Sequence, residues 1–221
     1  MKRTVLPTVL LTGFEPFDGE TLNPSWDAVR VLQGVRIVGH RVETRCLPVV
    51  FGVALEQLRK AIAQLRPQLV ICVGQAGGRA QISLERIAIN IDDSRKPDNA
   101  GNNPVDEPIV ADGPAGYFSN LPIKNLLAEL HGAGIPAEIS QTAGTYVCNH
   151  VFYGLMHSLG KNSRGVRGGF VHIPYSPEQA LRHHGAASLP IETVTAALRI
   201  IVRAALKEAP TLKNKAGAKT R

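Results

Sequence analysis

Residues 69–73 read Leu-Val-Ile-Cys-Val, an apolar run with no polar alternation. A strand of that composition needs cover on both faces, as in a parallel sheet with helices above and below it. A helical pattern precedes it over residues 51–65, with Leu55, Leu58, Ile62 and Leu65 on one stripe and Pro67 as its stop. Helix, breaker and buried strand in that order are one unit of an α/β fold.

The same alternation runs along the chain. Residues 5–12 read as a buried strand. Asn23-Pro24-Ser25 is a helix start, with Asn23 as N-cap and Pro24 at the first helical position, followed by Trp26, Val29, Val31 and Leu32 on an apolar side. Residues 35–47 hold one long bent strand or two short ones, and residues 82–91 alternate as one or two strands, read as a hairpin. Residues 92–121 are rich in Asp, Asn, Gly and Pro, and so long an irregular segment is usually a functional loop. Helix 124–131, strand 135–140, helix 146–159, strand 169–173 and helix 191–206 complete the pattern. The prediction is a single α/β/α sandwich of three layers around a mainly parallel, twisted sheet.

Composition narrows the class. The 221 residues fit one large domain, assigned to residues 1–206. Apolar residues make up 44% and aromatics only 5%, so the core is aliphatic. The net charge is +7, but residues 207–221 carry +4 of it, which leaves +3 on the preceding 206 residues. The excess therefore belongs to a basic tail with little to bury, expected to be disordered, and it argues against a nucleic-acid partner. No stretch is long enough to span a membrane, and the first apolar run reads as a strand rather than a signal peptide. The three cysteines, Cys46, Cys72 and Cys148, fit a reducing cytoplasm rather than a disulfide framework.

Cys46 and Cys72 sit in apolar strand patterns and read as small buried hydrophobes. Cys148 differs, because it opens a helix pattern. Unpaired N–H groups and the positive end of the helix dipole favour its thiolate there. His172 interrupts the last strand pattern, and with strand ends on one edge of the sheet it becomes the candidate base for Cys148. His150 is the rival, though positions two apart on a helix do not face each other. His131, His183 and His184 flank loops and are expected to be solvated, and His40 has no evident partner. Glu85, Asp92 and Asp93 are candidates for the carboxylate behind the histidine, with a solvated strand face the equal alternative for Glu85. Gly74-Gln-Ala-Gly-Gly is a weak phosphate-loop signal without a following lysine, and no metal-ligand set is present, so neither metal nor cofactor is expected.

Six segments in order carry a resemblance: Leu11-Thr-Gly-Phe-Glu-Pro-Phe-Asp-Gly, Asn23-Pro-Ser, Val73-Gly-Gln-Ala-Gly-Gly-Arg, Glu85-Arg-Ile-Ala-Ile-Asn, Gly144-Thr-Tyr-Val-Cys-Asn-His and His172-Ile-Pro-Tyr. From about Val9 to about Leu206 the chain resembles the bacterial pyrrolidone-carboxylate peptidases, or type I pyroglutamyl peptidases. That resemblance implies a cysteine peptidase that removes N-terminal pyroglutamate from peptides, with Cys148 as nucleophile, His172 as acid–base and Glu85 orienting His172. It implies Arg95 at the oxyanion, and Phe14, Phe17, Asn23, Gln75, Tyr146 and Val147 around the pyroglutamate ring. It also implies a homodimer or homotetramer. The chain departs from the family pattern at Asp18, Ser94, Lys96 and Tyr146. Two other readings stay beside this one: a nucleoside phosphorylase or other hydrolase using the Gly74 loop, and a nucleic-acid binder using the tail.

Overall fold

The computed structural model describes residues 6–162 and 165–207. In chain order the elements are β1 (Thr8–Phe14), α1 (Pro24–Arg30), β2 (Arg36–Ile37), β3 (His40–Leu47), α2 (Val53–Leu65), β4 (Leu69–Gln75), β5 (Ile82–Glu85), β6 (Ile87–Ile89) and β7 (Gly116–Phe118). They continue with α3 (Ile123–Gly132), β8 (Ala137–Ser140), α4 (Val147–Asn162), β9 (Arg167–Ile173), α5 (Pro177–Ala180) and α6 (Ile191–Lys207). Of the basic tail expected over residues 207–221, Lys207 closes α6 instead, and the rest lies outside the described residues, as does Val5 of the first strand.

One sheet of order β2-β3-β1-β4-β9-β5-β8 forms the middle layer. Helices α1, α3 and α6 cover one face and α2 and α4 the other, which is the three-layer arrangement that the alternation predicts. The run in β4 explains itself in this frame. Leu69, Ile71 and Val73 enter the core under α1 and α6, while Val70 and Cys72 enter the core under α4. Each side chain is fully buried, so no position of the run is left for a polar residue. Asn23 caps α1 as expected, its side chain accepting from the Ser25 N–H at 3.0 Å with Pro24 in the first turn.

Strand direction departs from expectation in one place that matters. β3, β1, β4 and β9 run parallel, but β5 pairs with β9 antiparallel, and β8 follows β5. The stretch 82–91 is no hairpin either. It breaks at Arg86, whose N–H goes to the Ser140 carbonyl, and β6 leaves to pair with β7 in a separate ribbon. Residues 35–47 are two strands, β2 and β3, paired antiparallel.

Smaller corrections follow from contacts that periodicity does not encode. Helix α1 ends at Arg30, and Val31 is exposed. His40 is not alone: its ring nitrogens lie 2.8 Å from the Val38 carbonyl and 2.9 Å from Gln68 Oε1. Cys46 is only half-buried. The single turn α5 has no long pattern to announce it and is held by a capping box between Ser176 and Gln179.

Candidate active site

Cys148 is the second residue of α4. Its helix start is pinned by its neighbours in sequence. Asn149 takes the Ile89 N–H at 3.0 Å and donates to the carbonyls of Ile89 and Ile91 at 2.9 Å each. His150 pairs through Nδ1 with Asp92 Oδ2 at 2.8 Å, while its Nε2 accepts the Gly52 N–H at 3.1 Å. Both ring nitrogens of His150 are therefore spent, and the rival base is a structural link between α4, α2 and the 92–98 loop. Asp92, one candidate partner for the catalytic histidine, is committed to it.

His172 lies directly opposite Gly74 in the β4–β9 register. A Cβ built on Gly74 would stand 2.8 Å from the Cys148 sulfur and 2.9 Å from Phe170 Cζ. The sulfur thus occupies the space left by the missing Gly74 side chain, on the face of the sheet that also carries His172. The expected shared sheet edge does not produce this arrangement. β8 runs against β9, and its last residue, Ser140, is level with Glu85 rather than with His172. Residues 141–146 bring Cys148 back across that gap of roughly 7 Å, two residues of strand rise.

Glu85 ends β5, two residues beyond Ser83, which pairs with His172. It therefore shares a face with His172, and its Oε1 lies 2.8 Å from His172 Nδ1. The carboxylate favours the proton on Nδ1 and leaves Nε2 free to accept one. Glu85 has no exposed surface, so the solvated-face alternative falls. Its Oε1 also takes Arg79 Nη1 at 2.6 Å, a cation that the pattern of short motifs did not single out.

Burial opposes the thiolate that a helix start favours. Burial pushes the Cys148 thiol up to about 12; the Glu85 charge adds to this and Arg79 opposes it. Burial also lowers the His172 pKa below the ordinary imidazole value, against the pull of Glu85. Desolvation thus works against the helix start, and both shifts favour a neutral thiol beside a neutral imidazole.

These groups open into a cavity of about 400 Å³, lined among others by Phe14, Phe17, Asn23, Gln75, Tyr146 and Val147. Phe17 and Tyr146 lie on its wall with ring centroids 6.4 Å apart, and Phe51, outside the lining, stands edge-on to Tyr146 at 5.4 Å. Gln75 Oε1 accepts from Gln179 Nε2 at 3.1 Å, which orients the Gln75 amide and leaves its nitrogen for a ligand. Asn23 spends its side chain on capping α1 and on the Glu15 carbonyl, so its part is to hold the wall.

Arg95 is the residue that the resemblance sets at the oxyanion. It is exposed and does not line the cavity; the chain turns at residues 94–96 so that Lys96 faces inward instead. Lys96 pairs with Asp18 and sits 5.1 Å from the Phe17 ring centroid. His183 is not merely solvated. It stacks on Tyr175 at 4.3 Å, pairs with Glu20 at 2.8 Å and lines the cavity.

A thiol, an imidazole and a buried carboxylate meeting at an apolar cavity make the centre of an α/β cysteine hydrolase. Comparison with known proteins gives the family. The family model described as pyroglutamyl peptidase matches residues 7–208. A pyrrolidone-carboxylate peptidase of Cupriavidus taiwanensis is 56% identical over 213 residues, covering 96% of this chain and 99% of that protein. Pyrrolidone-carboxylate peptidase 1 of Photorhabdus laumondii is 58% identical over 207 residues, covering 91% and 94%. Among solved structures, pyroglutamyl peptidase I of Bacillus amyloliquefaciens superposes with a TM-score of 0.88 at 50% identity, covering 90% of this chain and 96% of that one. The chain belongs to the pyroglutamyl peptidase family, and it is a cysteine-type peptidase.

Proposed function

We propose that Cys148, His172 and Glu85 hydrolyse N-terminal pyroglutamate from peptides, with residues 1–206 as one catalytic unit. The observation that carries this reading is the Cys148 sulfur seated over Gly74 beside His172, at the floor of a cavity walled by Phe14, Phe17, Tyr146 and Val147. A lactam ring is flat, neutral and partly apolar, and such walls with one amide donor at Gln75 suit it.

The reaction follows from the resting protonation. As the Cys148 sulfur attacks the ring-bearing carbonyl carbon, its proton passes to His172 Nε2. The first N–H groups of α4 have no partner within the helix and receive the developing oxyanion. His172 then gives its proton to the leaving amine, and a thioester remains on Cys148. Water, deprotonated by the same nitrogen, hydrolyses the thioester and returns the thiol. Glu85 stabilises the imidazolium each time it forms. Arg95, exposed as it stands, has no step in this sequence.

The three unpaired cysteines support a cytoplasmic setting, and the family resemblance supports a homodimer or homotetramer. Among the described residues no helix is long and apolar enough to cross a membrane. The test is release of an amine reporter from a pyroglutamyl amide by the wild type and by Cys148→Ser. Turnover by the wild type and its loss in the variant support the reading; comparable turnover by both overturns it.

A further inference from the structure

Glu85 is a buried acid with an uneven set of partners. Oε1 receives both His172 Nδ1 and Arg79 Nη1, whereas Oε2 has no partner. A carboxylate in that position stays ionised only beside a compensating cation. Among the described residues Arg79 is the one lysine or arginine paired with it.

The same guanidinium reaches in a second direction. Arg79 Nη2 donates to the Thr142 carbonyl at 2.8 Å. Thr142 opens the stretch that brings Ala143 and Gly144 to the cavity wall and then enters α4. That stretch is internally tied: Ser140 Oγ bonds both the N–H and the carbonyl of Thr142, and Thr142 Oγ1 accepts the Gly144 N–H at 3.0 Å. One side chain therefore joins the carboxylate behind the base to the loop in front of the nucleophile. The weak phosphate-loop motif delivers it. Gly77 lies so close to Tyr175 that a Cβ would stand 2.3 Å from its hydroxyl, and the turn there sends Arg79 back over the end of β5.

We propose that Arg79 is a positioning residue of this reaction: it aims Glu85 at His172, holds the loop before Cys148, and so sets how the Cys148–His172 pair is placed. The proposal rests on the assignment of Cys148 and His172 above. The titratable groups coupled to the pair are Glu85 from β5, Cys72 from β4, Tyr146 before α4 and Arg79 itself, and Asp18, Glu20, Lys96, Tyr175 and His183 line the same cavity. The Arg79 charge favours loss of the proton both from the thiol and from the imidazole. Without it, His172 binds its proton more tightly and the thiol ionises at higher pH.

The experiment compares Arg79→Met, Arg79→Lys and Cys148→Ser by kcat/KM on a pyroglutamyl amide across pH. It also follows the rate at which iodoacetamide labels Cys148, and Tm. Arg79→Met is expected to lose about 100-fold in kcat/KM, the size of a misplaced catalytic group. Both limbs of its pH profile should move to higher pH, and labelling at fixed pH should slow. Arg79→Lys keeps the charge but not the two-way fork. It should keep the wild-type profile while losing about tenfold or more in kcat. A wild-type profile and labelling rate in Arg79→Met overturn the proposal, even where kcat or Tm falls, because a purely structural arginine moves neither. Should Arg79→Met fail to fold, Arg79→Gln takes its place under the same readouts: a wild-type profile and labelling rate overturn the proposal, and limbs shifted to higher pH with slower labelling support it. Turnover by Cys148→Ser would instead strike the assignment of the nucleophile, a result separate from both.

Discussion

A Cβ on Gly74 would lie 2.8 Å from the sulfur of Cys148. The glycine is thus a seat for the nucleophile rather than part of a phosphate cradle. Gly74→Ala would press both on the sulfur and on Phe170, whose ring lies 2.9 Å from the same point. The expected outcome is a loss of about 100-fold in kcat/KM for a displacement near 1 Å. Stability should fall by only about 1–3 kcal/mol, the usual result of overpacking. Activity and urea midpoints measured on one preparation check this. Near wild-type kcat/KM in Gly74→Ala would mean that the sulfur works from another position.

The layers of this fold are legible in the sequence because burial on both faces leaves no room for polar residues in β4, and because Asn23-Pro24 marks a helix start chemically. Direction is not legible. Nothing in residues 82–85 says that β5 runs against β9, since a fully buried strand reads the same both ways. Cys148 and His172 are found by local pattern, one at a helix start and one interrupting a strand. Arg79 is missed because its importance lies in two contacts at sequence separations of 6 and 63 residues. Arg95 and Lys96 differ by one position, and which of them faces the cavity depends on a turn that composition does not encode.

Among the cysteines, Cys148→Ala and Cys148→Ser are expected to abolish turnover, while Cys46→Ala and Cys72→Ala retain it. Cys148 lines the cavity, and neither Cys46 nor Cys72 does. Because Cys148 rests as a thiol, its labelling by iodoacetamide should go on rising with pH far above neutrality. Because burial lowers the His172 pKa, the acid limb of kcat/KM should fall below the ordinary imidazole value of 6.5. Labelling that reaches its plateau near pH 6 would show a resting thiolate and overturn this order of protonation.

Lys96 and Asp18 join the loop after β1 to the loop after β6 across the Phe17 ring. Both side chains are substantially exposed, so the pair adds little to stability and salt screens it. Lys96→Met keeps the apolar stem on Phe17 but removes the link. It should raise KM several-fold with kcat unchanged and Tm nearly so. The wild-type KM should climb between low and high ionic strength, and the KM of the variant should not. A salt response of equal size in both proteins would separate the ion pair from substrate binding.

Asp98 anchors the same loop by accepting the N–H groups of Phe51, Ala100 and Asn102 at 2.8–2.9 Å. Burial pushes its carboxyl up, but these bonds and the Asn102 amide prevail and hold its pKa below 3.8. A lowered folded pKa gives stability that is present above the unfolded value and is lost as pH falls through the folded one. Asp98→Ala should therefore cost about 2 kcal/mol at pH 7, in the range for hydrogen bonds to a charged group. The gap from wild type should narrow as denaturation is followed down to pH 3. A gap independent of pH would mean that the hydrogen bonds act without the charge.

Glu85 and His172 are expected to act as one unit. Glu85→Gln keeps the shape and removes the charge, so His172 loses its imidazolium partner while Cys148 and the N–H groups of α4 remain. Its kcat should fall by about 10²- to 10⁴-fold, the range seen when a carboxylate behind a catalytic histidine is neutralised. Arg79 is then left unpaired, and stability should fall by about 3–5 kcal/mol, as for one member removed from a buried ion pair. His172→Ala should be more severe in kcat, because it removes the proton donor for the leaving amine, yet milder in stability, because the Arg79–Glu85 pair survives. The double variant should be little slower than His172→Ala alone, since residues that act through one another do not add. Kinetics and denaturation of the three proteins decide it. Additive losses in kcat would show Glu85 working only through Arg79 and the loop before Cys148, which would reduce the catalytic set to Cys148 and His172.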